Sequence, residues 1–145
     1  MLYYCVREPD EQYNDTKLLF HRGNRDGPII AVADPCPEKK YETDIHFFPG
    51  NLTIPLRHSH PRHFAAYNRG YHWKGPMANE LIEDESNGVV ATYDPSVFEG
   101  HRMRIGVIDN KQPDMQDIVV ITAMVVQERD EECKSKVLFT QNIAN

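Results

Sequence analysis

The fold of this chain depends on one uninterrupted apolar stretch, Ile118-Val-Val-Ile-Thr-Ala-Met-Val-Val126. Its content of Val and Ile favours a β-strand. Its flanks favour a helix, because Asp114 is a suitable N-cap and Asp117 lies in the first-turn region that stabilises acids. No turn residue interrupts the charged run that follows. On pattern alone, a helix and a buried strand remain open alternatives.

A helix from about Met115 to Glu131 would be apolar on every side in its middle. Such a helix must be buried on every side. The apolar run is roughly 14 Å long at 1.5 Å per residue, which is too short to cross a bilayer. The segment therefore predicts a core element and not a transmembrane one.

Most of the remaining chain consists of short runs of β-forming residues between turn signals. Hairpin turns are predicted at Gly23–Gly27 and at Glu85–Gly88, where an Asn-Gly pair is present. Asn68–Gly70 is predicted to separate two further strands, and Pro55 to mark an edge or a bulge, because proline donates no ladder hydrogen bond. The predicted strands are Leu18–His21, Pro28–Ala33, Tyr41–Phe48, Leu52–Arg57, His63–Tyr67, Tyr71–Lys74, Glu80–Glu83, Val89–Tyr93 and Met103–Ile108.

Eight or nine strands at this spacing predict an antiparallel barrel or sandwich. No linker or repeat divides the sequence, so a single domain over residues 1–145 is expected. The net charge of -6 and the mean hydropathy of -0.60 argue against a membrane protein and against a nucleic-acid binder. Three separated cysteines and an N-terminus without a signal-peptide pattern favour the cytoplasm.

A series of segments resembles small fungal proteins of the tubby C-terminal-like group, which share their architecture with phospholipid scramblases and the plant LURP-one-related proteins. The segments are, in order, Tyr71-His-Trp-Lys-Gly75, Leu81–Tyr93, Gly106-Val-Ile-Asp109 and Asp117–Arg129. The resemblance implies a closed antiparallel β-barrel pierced by one hydrophobic helix, and it favours the helix for 118–126. The tail from Lys134 to Asn145 continues past that helix, with Val137–Phe139 able to form a further strand.

The charge distribution suggests one binding surface. No Asp or Glu occurs between Ile45 and Asn79, although the chain carries 22 acidic residues. Basic side chains on adjacent strands would form an anion site, for a lipid head group or an acidic protein segment, that strengthens as falling pH protonates histidines. Alternatively, these charges offset acids on neighbouring strands, such as Glu80, Glu83 and Asp84. The candidate ligand-binding residues are Arg57, Arg62, Arg69, Lys74 and His72, with further histidines at 46, 58, 60 and 63.

The segment His58-Ser-His60-Pro-Arg-His63 suggests a metal site. On a strand, residues i and i+2 share a face, so His58 and His60 could bind one metal and His63 could add a third ligand. The spacing resembles the first metal motif of the cupins, but Phe64 and Ala65 stand near the place of its glutamate. An all-histidine site would suit Zn²⁺, Cu²⁺, Ni²⁺ or Fe²⁺.

The leading hypothesis is a non-catalytic binding module for an anionic lipid head group or an acidic partner protein. One alternative is a metal-dependent, cupin-like enzyme that uses the three histidines, and another is a scaffold protein without a small-molecule ligand. The sequence predicts no catalytic residue, no cofactor, no nucleic-acid partner and no transmembrane segment.

Overall fold

The apolar stretch 118–126 lies within a helix in the structure, which is a computed structural model. It describes residues 2–10, 15–35, 41–59, 61–74, 80–94, 102–107, 115–134 and 141–144. The strands in chain order are β1 (Leu2–Asp10), β2 (Asp15–Arg22), β3 (Ile29–Pro35), β4 (Glu42–Phe47), β5 (Leu52–Arg57), β6 (Arg62–Ala66), β7 (Arg69–Lys74), β8 (Glu80–Glu83), β9 (Val89–Asp94) and β10 (Arg102–Val107). Helix α1 (Met115–Lys134) and strand β11 (Gln141–Ala144) follow.

The described strands form one eleven-stranded sheet in the order β5-β4-β3-β2-β1-β11-β10-β9-β8-β7-β6. The pairs are antiparallel except for β10 and β11, which run parallel. Parallel neighbours need a crossover connection, usually a helix, and α1 is the helix between these two strands. The described part of the chain is therefore mainly β with one helix near the C-terminus, as the sequence predicts.

One face of the sheet holds the core, because side chains alternate in burial along strands such as β4, β5 and β6. In β4, for example, Thr43, Ile45 and Phe47 are buried while the residues between them are half-buried. The helix packs on the same core, and its residues 117–129 are all buried. Strands from both halves of the sheet hydrogen-bond to the helix, among them β1, β2, β4 and β7. The predicted buried helix is confirmed.

The core face of the sheet packs against a helix rich in β-branched residues. Trp73 of β7 is buried, and its Nε1 donates to the Thr122 hydroxyl at 3.0 Å. That hydroxyl in turn donates to the Val119 carbonyl at 3.1 Å, so the polar atoms of this apolar segment have partners. Trp73 is thus a core aromatic residue. Within the described residues, no helix is long and apolar enough to cross a membrane.

Several details differ from the sequence prediction. The chain has two more described strands at its ends, β1 and β11, and the predicted strand Val137–Phe139 lies outside the described residues. The turn predicted at Asn68–Gly70 is instead Tyr67–Asn68, because Ala66 pairs with Arg69 across β6 and β7. That register keeps Phe64 opposite Tyr71, both of them buried. Pro55 lies in β5 at one end of the sheet order, which confirms the predicted edge position.

Candidate functional site

The five predicted ligand-binding residues divide between the two ends of the sheet. Arg57 ends β5, Arg62 begins β6 and Lys74 ends β7, and these three positions lie at the same end of the antiparallel strands. Arg69 begins β7 at the opposite end, and His72 lies between. The structure therefore places three of the five residues at one end of the sheet. Arg69 and His72 lie elsewhere.

Acidic residues on the flanking strands lie opposite these cations. Arg69 forms an ion pair with Glu83 of β8 at 3.0 Å, and His72 Nδ1 lies 2.5 Å from Asp84 Oδ1. The same arrangement recurs by register, with Arg57 directly opposite Glu42 and Lys74 directly opposite Glu80. The carboxylates missing from residues 46–79 are thus supplied by strands β4 and β8.

The structure describes two of the three predicted metal ligands, His58 and His63. His58 Nδ1 lies 3.0 Å from the Thr43 hydroxyl, and His63 is exposed on β6 directly opposite His72. His60 lies outside the described residues. In the part of the chain that the structure describes, no group of three metal-binding side chains is present.

Charged side chains at both ends of the buried helix contact the strands around it. Near its C-terminal end, Glu128 forms an ion pair with Arg7 of β1, and the two side chains are 1% and 5% exposed. The neighbouring Arg129 donates from Nε to the Thr43 hydroxyl at 3.3 Å. Cys5 lies on the same buried face of β1, and burial together with the Glu128 carboxylate raises the pKa of its thiol. These pairs hold the helix against β1 and β4.

At the other end of the helix, the carboxylate of Asp117 has two partners. Tyr3 donates its hydroxyl to Oδ1, and Arg22 donates from an Nη to Oδ2 at 2.5 Å. Burial and the adjacent Asp117 carboxylate raise the pKa of the Tyr3 phenol, which therefore stays protonated as a donor. The Arg22 side chain is 39% exposed and that of Asp117 12%, so solvent reaches this pair.

A cavity of about 130 Å³ opens beside this second ion pair. Apolar side chains form most of its wall, and Asp117 is the charged residue in its lining. We call it the Asp117 cavity. The lining residues are Phe47, Pro49, Gly50, Leu52, Tyr67, Asp117 and Ile118.

Two tight turns form the rim of the Asp117 cavity, and both contain left-handed residues. Gly50 and Asn51 of the β4–β5 turn have φ values of 79° and 49°. Tyr67 and Asn68 of the two-residue β6–β7 hairpin have φ values of 53° and 62°. Such hairpins require positive φ at both central residues, and Gly or Asn adopts it most easily. A tyrosine there is a strained residue, and strain of this kind often marks a functional position.

Exposed apolar side chains concentrate at the same end of the sheet. The described large apolar residues that are more than a third exposed are Ile29, Tyr41, Phe48, Tyr67 and Val89. Four of them begin or follow a strand at the Asp117 end, whereas Tyr41 precedes β4 at the other end. Tyr41 is covered in part by the Arg57 guanidinium, 5.7 Å from its ring centroid. Among the described residues, the end with the cavity therefore carries more of the exposed large apolar side chains.

Sequence reasoning missed this site because its parts are far apart in the chain. The signal available was Tyr67-Asn68 between two strand patterns, a hairpin position at which tyrosine is unusual. Neither family models, nor curated proteins, nor solved structures gave a significant match to this chain. The resemblance to the tubby C-terminal-like group therefore remains a prediction.

Proposed function

We propose that this chain is a non-catalytic binding module whose ligand site is the Asp117 cavity. The observation that carries the proposal is the strained Tyr67, which lines a preformed, mostly apolar opening beside a carboxylate. Ligand sites commonly combine an apolar wall with a few polar groups that orient the ligand. The position of Tyr67 costs folding free energy, and lining the cavity gives that cost a function.

The size of the cavity limits the ligand. About 130 Å³ is close to the volume of roughly 150 Å³ that admits benzene in an engineered protein interior. The cavity therefore has room for a single ring or a short branched chain, and a longer group would extend past Phe48 at the exposed rim.

The test is binding of ring-sized probes, such as benzene and phenol, followed by NMR of the Ile118 methyl groups. We expect saturable shifts of these signals in the wild-type chain. Leu52→Trp fills the cavity from the wall and should abolish the shifts. The matched control is Thr53→Trp, because Thr53 is exposed on the same strand and should leave binding intact. Unchanged binding in Leu52→Trp would place the ligand elsewhere.

An anionic ligand at the opposite end of the sheet is the second candidate. The favouring observation is that Arg57, Arg62 and Lys74 lie at one end, with the Arg57 Nε buried and without a hydrogen-bond acceptor among the described residues. Glu42 and Glu80 reduce the local positive charge. Vesicles containing an anionic phospholipid should then bind the wild type, less so at high salt. Arg57→Gln with Lys74→Gln should weaken binding, whereas the control Arg25→Gln, an exposed site at the other end, should not.

The fold proposal that accompanies these sites is closure of the sheet into a barrel through β5 and β6. The two terminal strands are joined by the short segment 58–61 and lie in contact, and residues 117–129 of α1 are all buried. Closure would give the barrel with a central helix that the tubby-like resemblance implies. Hydrogen exchange is the test, because closed strands should protect amides of β5 and β6 as strongly as those of β4. Rapid exchange along both strands would indicate an open edge.

A further inference from the structure

The charges beside the Asp117 cavity restrict the ligand further. Asp117, which lines the cavity, forms an ion pair with Arg22, so the two charges nearly cancel. A cationic ligand would meet the Arg22 guanidinium, which lies 2.5 Å from the Asp117 carboxylate. An anionic ligand would meet the carboxylate itself. Both lose charge hydration on entering an apolar wall. The site therefore favours an uncharged ligand.

The hydrogen bonds of Asp117 show which polar group this ligand needs. Each carboxylate oxygen has two lone pairs, and among the described residues one on each is used, by Tyr3 and by Arg22. The remaining capacity is that of an acceptor. The Tyr3 phenol is already a donor to Asp117, so it does not serve as one for the ligand. At Asp117, a ligand can therefore take part only as a hydrogen-bond donor.

We infer that the Asp117 cavity binds an uncharged, ring-sized group carrying one hydroxyl donor, such as a phenol, with the ring against the apolar wall and the hydroxyl toward Asp117. This inference rests on the proposed function of the cavity. The ring contacts would come from Phe47, Leu52 and Ile118. A hydrogen bond to a carboxylate is among the stronger kinds, so the donor should dominate the choice between ligands of equal size.

Phenol and toluene give the sharpest comparison, because they have nearly the same shape and differ in the donor. We expect calorimetric titration of the wild-type chain to give an affinity for phenol at least about tenfold higher than for toluene. Benzylammonium, which adds a charge to the ring, should bind more weakly than phenol. The location of each ligand is read from the Ile118 methyl signals and from loss of binding in Leu52→Trp.

The outcomes separate this inference from the proposed function. If phenol and toluene both bind in the cavity with equal affinity, or if benzylammonium binds more tightly, the donor inference is wrong and the binding function stands. If no ring-sized probe binds in a way that Leu52→Trp abolishes, both are wrong. The same phenol chemistry could come from a free molecule or from a tyrosine side chain. If 4-methylphenol binds more tightly than N-acetyltyrosinamide, the ligand is a free molecule. If N-acetyltyrosinamide binds more tightly than 4-methylphenol, the ligand is a tyrosine side chain.

Discussion

Asp117 and Glu128 lie near opposite ends of the buried part of α1, and each carboxylate binds an arginine from a neighbouring strand. The Glu128 pair is almost wholly buried, with side-chain exposures of 1% for Glu128 and 5% for Arg7. The Asp117 pair is partly open, since Arg22 is 39% exposed, and a cavity adjoins it. A charged group in a core is therefore not by itself a sign of function; access and shape distinguish the two ends.

The Glu128 ion pair is expected to stabilise the fold by fixing the position of the helix. A helix that is apolar on every side has few features that fix its rotation. Ion pairs at both ends, to β1 at the Glu128 end and to β2 at the Asp117 end, would specify one rotation and one depth, a role that buried charges serve in some other proteins.

The largest expected effect concerns the Glu128 end of the helix. Arg7→Ala leaves the Glu128 carboxylate buried and without its arginine, so the free energy of unfolding should fall by about 3–5 kcal/mol. Denaturant unfolding followed by circular dichroism measures this change. As a control, Arg7→Met combined with Glu128→Met removes both charges and should retain most of the stability. A loss below about 1 kcal/mol in Arg7→Ala would contradict the difference between the two ends.

Sequence patterns predicted the regular parts of this fold well. The strands Leu52–Arg57 and Glu80–Glu83 have the predicted bounds, because each is a short run flanked by turn residues. The helix was undecided on pattern alone, since its Val and Ile content favours a strand. Its burial in the core overrides that preference, as tertiary packing commonly does.

The ion pairs and the cavity could not be predicted from local patterns. Strand β1 was missed, and it supplies Tyr3 and Cys5 to the core together with the Arg7 side chain, which is 5% exposed. Arg7 interrupts the apolar alternation on the buried face of β1, and its partner Glu128 is 121 residues away. The cavity likewise joins two turns to the start of a helix, and no single window of sequence contains all three.

A second prediction uses the two neutral acids on β1, the phenol of Tyr3 at the open end and the thiol of Cys5 at the closed end. Their pKa values are raised above the ordinary 10.0 and 9.0. The unfolded chain therefore loses these protons at a lower pH than the folded chain does. The contribution of the two groups to the free energy of unfolding is complete below about pH 9 and declines as pH rises. The slope should be about 1.4 kcal/mol per pH unit for each group. Unfolding at pH 8 to 10.5 measures the slope, which Cys5→Ala should reduce from pH 9 and Tyr3→Phe only near pH 10 and above.

A smaller effect is expected at the Asp117 end of the helix. Arg22→Ala removes an arginine that is 39% exposed, so solvent can replace it beside Asp117, which keeps its bond from Tyr3. The free energy of unfolding should fall by only about 1 kcal/mol, typical of an exposed pair. The measurement is the same denaturant titration as for Arg7→Ala. Equal losses in the two variants would show that accessibility does not distinguish these pairs.

The smallest effect, and the one with opposite sign, concerns the strained rim residue. Asparagine adopts positive φ more readily than tyrosine, so Tyr67→Asn should raise the free energy of unfolding by about 0.5 kcal/mol. The same change removes part of the cavity lining and should weaken binding of phenol. A gain in stability together with a loss of binding would mean that the strain is retained for the ligand. Phe48→Asn is the matched control, because Phe48 is exposed at the same end without a left-handed backbone and should show no gain in stability. If Tyr67→Asn is less stable than the wild type, or binds phenol equally well, Tyr67 has a purely structural role in the hairpin.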